Sequence, residues 1–301
     1  MLIVFQQVFI LFLFAASGYV LAKRKIIDSS QSQILSKLLV YLFLPCNIFK
    51  TFSSNFTVAY IAGNFELLTT SIVVIFILAI TMHFAAKFFS KDTYERYIFE
   101  YSLIIPNYGY MGYALAESIL GESGLMNLMM FALPVSFYTY TLGFAMLTKR
   151  SLSLKKLLNP VVISMLVGML IGIIQIPLPE TIYSVLNKAS ACMAPVSMLL
   201  AGIVISEFNL KKLVYNKSTY IVVILRLVVI SITLGYLLSL VCSTKVVETC
   251  VLLYAMPCGL NTIVFPKLVE ENCEIGAGLA FISNIFACIT VAFVFELVRR
   301  F

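Results

Sequence analysis

The sequence predicts an all-α polytopic membrane protein: ten transmembrane helices arranged as two five-helix inverted repeats. Three observations lead there. Of 301 residues, 61% are hydrophobic and only 12% charged, where a soluble protein carries about 25% charged residues; a soluble fold is excluded. Apolar runs of membrane-spanning length alternate with short charged interruptions along the whole chain. Matching strings also recur about half a chain apart.

The predicted spans cover residues 2–22, 33–52, 66–88, 97–118, 125–148, 160–176, 181–205, 218–241, 246–268 and 275–297. At roughly 20 residues per crossing they leave no room for a separate soluble domain. The first run has no basic segment before it, and Lys23, Arg24 and Lys25 follow it. That polarity is opposite to a cleaved signal peptide, so the run is read as a retained helix. Spans four and nine are interrupted by Pro and Gly. In span six, Gly168 and Gly172 form a GxxxG that favours close helix packing within the molecule, with a homodimer contact as its other use. Leu152 to Leu158, with Lys149, Arg150, Lys155 and Lys156, reads as a basic amphipathic segment or a simple loop. The chain therefore divides into residues 1–148, a cytoplasmic connection at 149–159, and residues 160–301.

Net charge is +7. Because the basic residues lie in short loops between apolar runs, they predict anchoring at the bilayer surface and not nucleic-acid binding. With each Lys and Arg assigned to one face of the membrane, fourteen lie on one side and five on the other, Lys37 and Arg226 being left out as inside spans. The bias places both termini outside the cytoplasm of a multi-pass cell-membrane protein. The seven cysteines show no CxxC and no paired spacing, and they read as small apolar filler.

Pro45 and Pro195 are 150 residues apart, and Pro106 and Pro257 are 151 apart. Between them, Ser71 to Ile75 is echoed by Tyr220 to Ile224 at a spacing of 149, and Glu122-Ser123-Gly124 by Glu274-Ile275-Gly276 at 152. Four matches in order indicate a duplication. A unit of five spans must insert its copy with opposite orientation, and a site between two such units can open alternately to either face.

The interrupted spans are the predicted site. Span four contains Pro106-Asn107-Tyr108-Gly109-Tyr110-Met111-Gly112, and span nine contains Pro257-Cys258-Gly259-Leu260-Asn261. Proline lacks an amide hydrogen and clashes with the preceding turn, so both helices should break there. The freed backbone groups cannot face lipid. A half-helix starting at such a break directs its positive end into the site, and Asn107, Asn261, Tyr108 and Tyr110 add polar groups at the same depth. The expected ligand is a small organic anion such as a dicarboxylate. Cys258 and Asn47 are further candidate substrate-binding residues, and Asn47, Ser197 and Asn284 are candidates for lining the scaffold or ion side.

Arg226 and Glu100 lie several residues inside spans eight and four. Intramembrane charges are usually functional or paired, so a Glu100–Arg226 pair is one expectation and snorkelling of Arg226 to the interface another. Glu248 and Glu100 are candidate coupling carboxylates, and His83, the single histidine, is read as interfacial.

Gly18-Tyr19-Val20-Leu21-Ala22-Lys23-Arg24, Leu42 to Phe49, Asn107 to Gly112 and Pro257 to Val264 together resemble the auxin efflux carrier family, including its bacterial malate and malonate permeases. The resemblance implies a fold akin to bile-acid symporters and sodium/proton antiporters. Helices four and nine would cross at Pro106 and Pro257, with Asn107 beside the substrate. Helices one, two, six and seven would form a scaffold against which the others move as an elevator. Cys258 stands where the plant members have a second Asn, and their long central loop is missing, which argues against a plant-hormone substrate. No Walker loop, HExxH or Ser-His arrangement is present. The sequence thus predicts a secondary carrier with no catalytic or metal-binding residues and no cofactor, with coupling to protons or sodium left open. The alternatives are a sensor or channel on the same scaffold and, more remotely, an intramembrane enzyme.

Overall fold

A computed structural model describes residues 2–28, 31–149, 159–209, 211, 213 and 216–298. The basic segment expected at 152–158, together with Arg150, lies outside the described residues. The principal helices are α1 (Leu2–Lys23), α2 (Ser32–Asn55), α3 (Phe65–Phe88), α4 (Thr93–Ile104), α5 (Tyr113–Tyr138), α6 (Pro160–Ile174), α7 (Glu180–Glu207), α8 (Lys217–Ser239), α9 (Thr244–Tyr254), α10 (Asn261–Leu268) and α11 (Glu274–Val298). A short helix, Val58–Gly63, sits between α2 and α3.

Local chemistry sets the boundaries. The Asp92 carboxylate accepts the Glu95 amide at 2.9 Å and starts α4. Asn159 accepts the Val161 and Val162 amides at 3.0 and 3.1 Å, and Pro160 occupies the first turn of α6. The Asn159 side chain also donates to the Tyr140 carbonyl at 2.7 Å, tying the start of the second half to the first. Within α5 the helical path is broken at Gly121, whose φ of +71° suits glycine. The turn expected between spans four and five is therefore very tight.

Among the described residues, five helices are long and apolar enough to cross a bilayer unaided, and the bent α11, taken as one span, makes a sixth. The reason for the shortfall from ten is visible. Spans four and nine are interrupted, so neither half of either is long enough alone. Helix α6 (Pro160–Ile174) is a shorter apolar stretch, and its 15 residues reach only about 23 Å against a core of about 30 Å. Large apolar side chains cover the outside, including Ile72, Phe76, Ile80, Leu237 and Ile289. So much exposed hydrocarbon is incompatible with a water-facing surface, and the chain is a polytopic membrane protein.

Two helix pairs form the closest packing. A Cβ on Gly18 of α1 would lie 2.2 Å from the Leu199 carbonyl oxygen of α7, and one on Gly168 of α6 would lie 3.0 Å from the Phe49 carbonyl oxygen of α2. Adding 150 to Gly18 gives Gly168, and subtracting 150 from Leu199 gives Phe49. One contact is thus the other with the halves exchanged. Gly172 packs on the Phe52 carbonyl, at 2.6 Å for the same virtual atom, so the GxxxG is used inside the chain.

Polar contacts gather the loops at two ends. Lys267 meets Glu207 at 2.6 Å, Lys149 meets Glu271 at 2.7 Å, and Gln33 donates to Glu270 at 2.9 Å. At the other end Glu66 accepts from the Ser243 amide and hydroxyl at 2.9 and 2.7 Å, and Lys245 reaches Asn64 at 3.1 Å. Between α2 and α6 on one side and α3 and α5 on the other runs an apolar groove of about 1040 Å³, lined by Phe52, Ile72, Phe76, Leu133 and Met165 among others.

Candidate functional site: two helix breaks joined by a bridge

Helix α4 ends at Ile104, and Ile105 is extended, with φ −101° and ψ 114°. After Pro106 and Asn107 the chain re-enters helix through one π turn, Tyr108–Gly112, whose first carbonyl is that of Asn107, bonded to the Met111 and Gly112 amides at 3.2 and 3.1 Å. In the second half α9 ends at Tyr254 and α10 begins at Asn261.

The two breaks meet. Pro106 and Cys258 form an isolated antiparallel bridge. The Asn107 amide donates to the Pro257 carbonyl at 2.9 Å, and the Gly259 amide donates to the Ile105 carbonyl at 3.2 Å. Each break therefore satisfies a backbone group that the other has freed, which is what an irregular backbone inside a membrane protein requires. The remaining amide at this point, that of Cys258, donates to the Ser283 hydroxyl of α11 at 3.0 Å.

The polar side chains around the bridge differ in how they are used. The Asn261 amide donates to the Tyr101 hydroxyl at 2.9 Å, and Tyr108 shares a 2.9 Å hydrogen bond with Ser136. Both are thus tied into the protein and were not recognisable as such from the sequence. Asn107 is 1% exposed, and neither its Nδ2 nor its Oδ1 has a hydrogen-bond partner. A buried amide with four unmet hydrogen-bonding sites is costly unless something else fills them. Gly109 is half-buried with the Met193 methyl at the edge of contact, 4.0 Å from a virtual Cβ. The Cys258 side chain is fully buried.

Other predicted residues fall elsewhere. Asn47 sits half-buried on α2 and takes no part in the bridge. Ser197 bonds the Ala194 carbonyl of its own helix at 2.9 Å, and Asn284 that of Ala280 at 2.7 Å. Glu248 is half-buried near the start of α9. The expected Glu100–Arg226 pair is corrected: the Glu100 carboxylate meets His83 Nδ1 at 3.0 Å. The histidine, one turn before the end of α3, reaches it first. Arg226 is fully buried and does not snorkel. Its guanidinium lies 5.1 Å from the centre of the Tyr254 ring. Sequence reasoning passed over Tyr101, Ser136, Tyr254 and Ser283. Tyr254, three residues before Pro257, was within view, whereas Ser283 is joined to the site only by the fold.

Long apolar helices, a duplicated packing contact and two broken segments hydrogen-bonded at their breaks define a multi-pass membrane protein built from repeated units. The chain belongs to the membrane transport protein family, the auxin efflux carriers, which it matches over residues 3–156 and 148–295. It is also similar to an uncharacterized transporter of Methanocaldococcus jannaschii, with 24% identity over 298 residues that span 95% of this chain and 96% of that protein.

Proposed function

We propose that this protein is a secondary transporter that moves a small organic carboxylate by alternating access, holding it where the two breaks cross. The observation that carries the reading is the Asn107 side chain, buried at the bridge with no protein partner for its amide. A carboxylate accepts from Nδ2, and a hydroxyl or protonated group of the same ligand donates to Oδ1. The half-helix beginning at Asn107 adds the positive end of its dipole.

In this reading spans four and nine each cross the membrane as two half-helices, making ten spans in two inverted five-span units, 1–148 and 160–301. The charge bias puts both termini outside the cell. Helices α1, α2, α6 and α7 form the scaffold, supported by the glycine-mediated approaches of Gly18 and Gly168. The remaining helices carry the bridge and slide against it, and the apolar groove between α2, α6 and α3, α5 marks where the two bodies part. Glu100 with His83 is the group through which a proton would couple.

The test is counterflow of labelled malate, malonate and an aromatic carboxylate in proteoliposomes, with and without proton and sodium gradients. Saturable exchange of one of them is expected. Saturable binding without exchange would instead identify a sensor.

A further inference from the structure

Among the described residues, Arg226 has no ion-pair partner. It is 0% exposed, and its Nε, Nη1 and Nη2 all lack hydrogen-bond partners. The guanidinium carries five donors and does not lose its proton in proteins. A buried cation in this condition is among the least favourable arrangements a fold can hold. The nearby acids do not relieve it: Glu100 is engaged by His83, and Glu248, further back on α9, does not reach the guanidinium nitrogens.

Its position is specific. Arg226 lies in a π turn of α8, Leu225–Ile230, where the widened helix changes the direction of its side chains. Its guanidinium sits over the ring of Tyr254, the last residue of α9 before the break, in a cation–π contact that leaves its N–H donors free. The Tyr254 hydroxyl is itself buried and unpartnered. Tyr254 in turn lies four residues before Cys258, which forms the bridge with Pro106. Next to that bridge stands the unpartnered amide of Asn107. Guanidinium, phenol and amide, on segments that lead to or form the crossing, thus leave donors unmet among the described residues.

We infer that Arg226 is the counter-charge of the transported anion: its guanidinium and the Tyr254 hydroxyl bind the ligand's carboxylate, and Asn107 binds a second polar group of the same molecule. This rests on the crossing being the substrate site, and it narrows the substrate to an anion with two polar ends, such as a dicarboxylate or hydroxycarboxylate. The geometry suits a planar, two-oxygen partner, which a guanidinium grips with paired hydrogen bonds.

The test is malonate and malate binding to the purified full chain by calorimetry, alongside thermal unfolding with and without each anion at constant ionic strength. For Arg226→Gln we expect at least about 100-fold weaker binding. We also expect an anion-free melting temperature equal to or above that of the wild type, because an uncompensated buried charge has been removed. Arg226→Lys, which keeps charge without the planar fork, should bind about tenfold more weakly than the wild type. Tyr254→Phe, which removes only the hydroxyl, should weaken binding while leaving the fold intact. A lowered melting temperature in Arg226→Gln with the anion-induced rise preserved would make Arg226 structural and overturn the inference. Wild-type affinity in Arg226→Gln together with loss in Asn107→Ala would also overturn it while leaving the transport reading in place. Failure of the wild-type protein to bind either anion would defeat both.

Discussion

The two halves of the molecule share a backbone plan and divide the chemistry between them. Pro106 corresponds to Pro257, and the bridge they form reads the same from either side, with one amide donated in each direction. The side chains at equivalent positions do not match. Asn107 corresponds to Cys258 and Leu103 to Tyr254 at the spacing of 151, and Ile77 to Arg226 at the spacing of 149. Ile77 is 50% exposed on the outside of α3, whereas Arg226 is fully buried. What holds the crossing together has been kept in both copies, and what faces the crossing has diverged. A symmetric frame therefore carries different side chains in its two halves, and in the site proposed above the first half would bring the amide and the second the charge.

The widest contrast should come from the glycines. Gly18→Ala places a Cβ 2.2 Å from a backbone carbonyl oxygen, while Gly168→Ala at the equivalent contact places it at 3.0 Å. The first should destabilise by about 3 kcal/mol and the second by about 1 kcal/mol, read by thermal unfolding in detergent. Equal losses would mean that the two contacts are energetically interchangeable.

Next comes the amide against the thiol. Asn107→Ala should lower transport or affinity by about 10- to 100-fold, the worth of a hydrogen bond to a charged ligand, while Cys258→Ala stays within about twofold. Counterflow in proteoliposomes checks both, and a reversed order would move the site to the other half.

His83→Ala sharpens the comparison away from the crossing. It leaves the buried Glu100 carboxylate without its partner, so stability should fall by about 1–3 kcal/mol. An unchanged melting temperature would show that the pair is dispensable. Smallest is Lys267→Ala, which breaks a partly exposed ion pair with Glu207 and should cost about 1 kcal/mol or less, declining further at high salt.

Much of this architecture was legible before any coordinates. Composition required a membrane, the Pro and Gly positions located both breaks, and the repeat spacing paired them. The site was only half legible, for a physical reason. Sequence shows which side chains carry donors near Pro106 and Pro257, but not which donors the fold consumes. Asn261 and Tyr108 are spent on Tyr101 and Ser136, partners 160 and 28 residues away. Asn107 is left open. The Glu100–Arg226 pair does not form for a similar reason: position along a span gives depth in the membrane but not the direction in which each side chain leaves its helix.

The bridge also sets a clock. Irregular backbone normally gives up its amide hydrogens quickly, since small local openings suffice to expose them. Here the Asn107 and Gly259 amides are donated across the two halves, so neither can be freed without separating one break from the other. Their deuterium uptake should track the slowest, most global opening of the protein, and these two non-helical residues should outlast the ends of the regular helices around them.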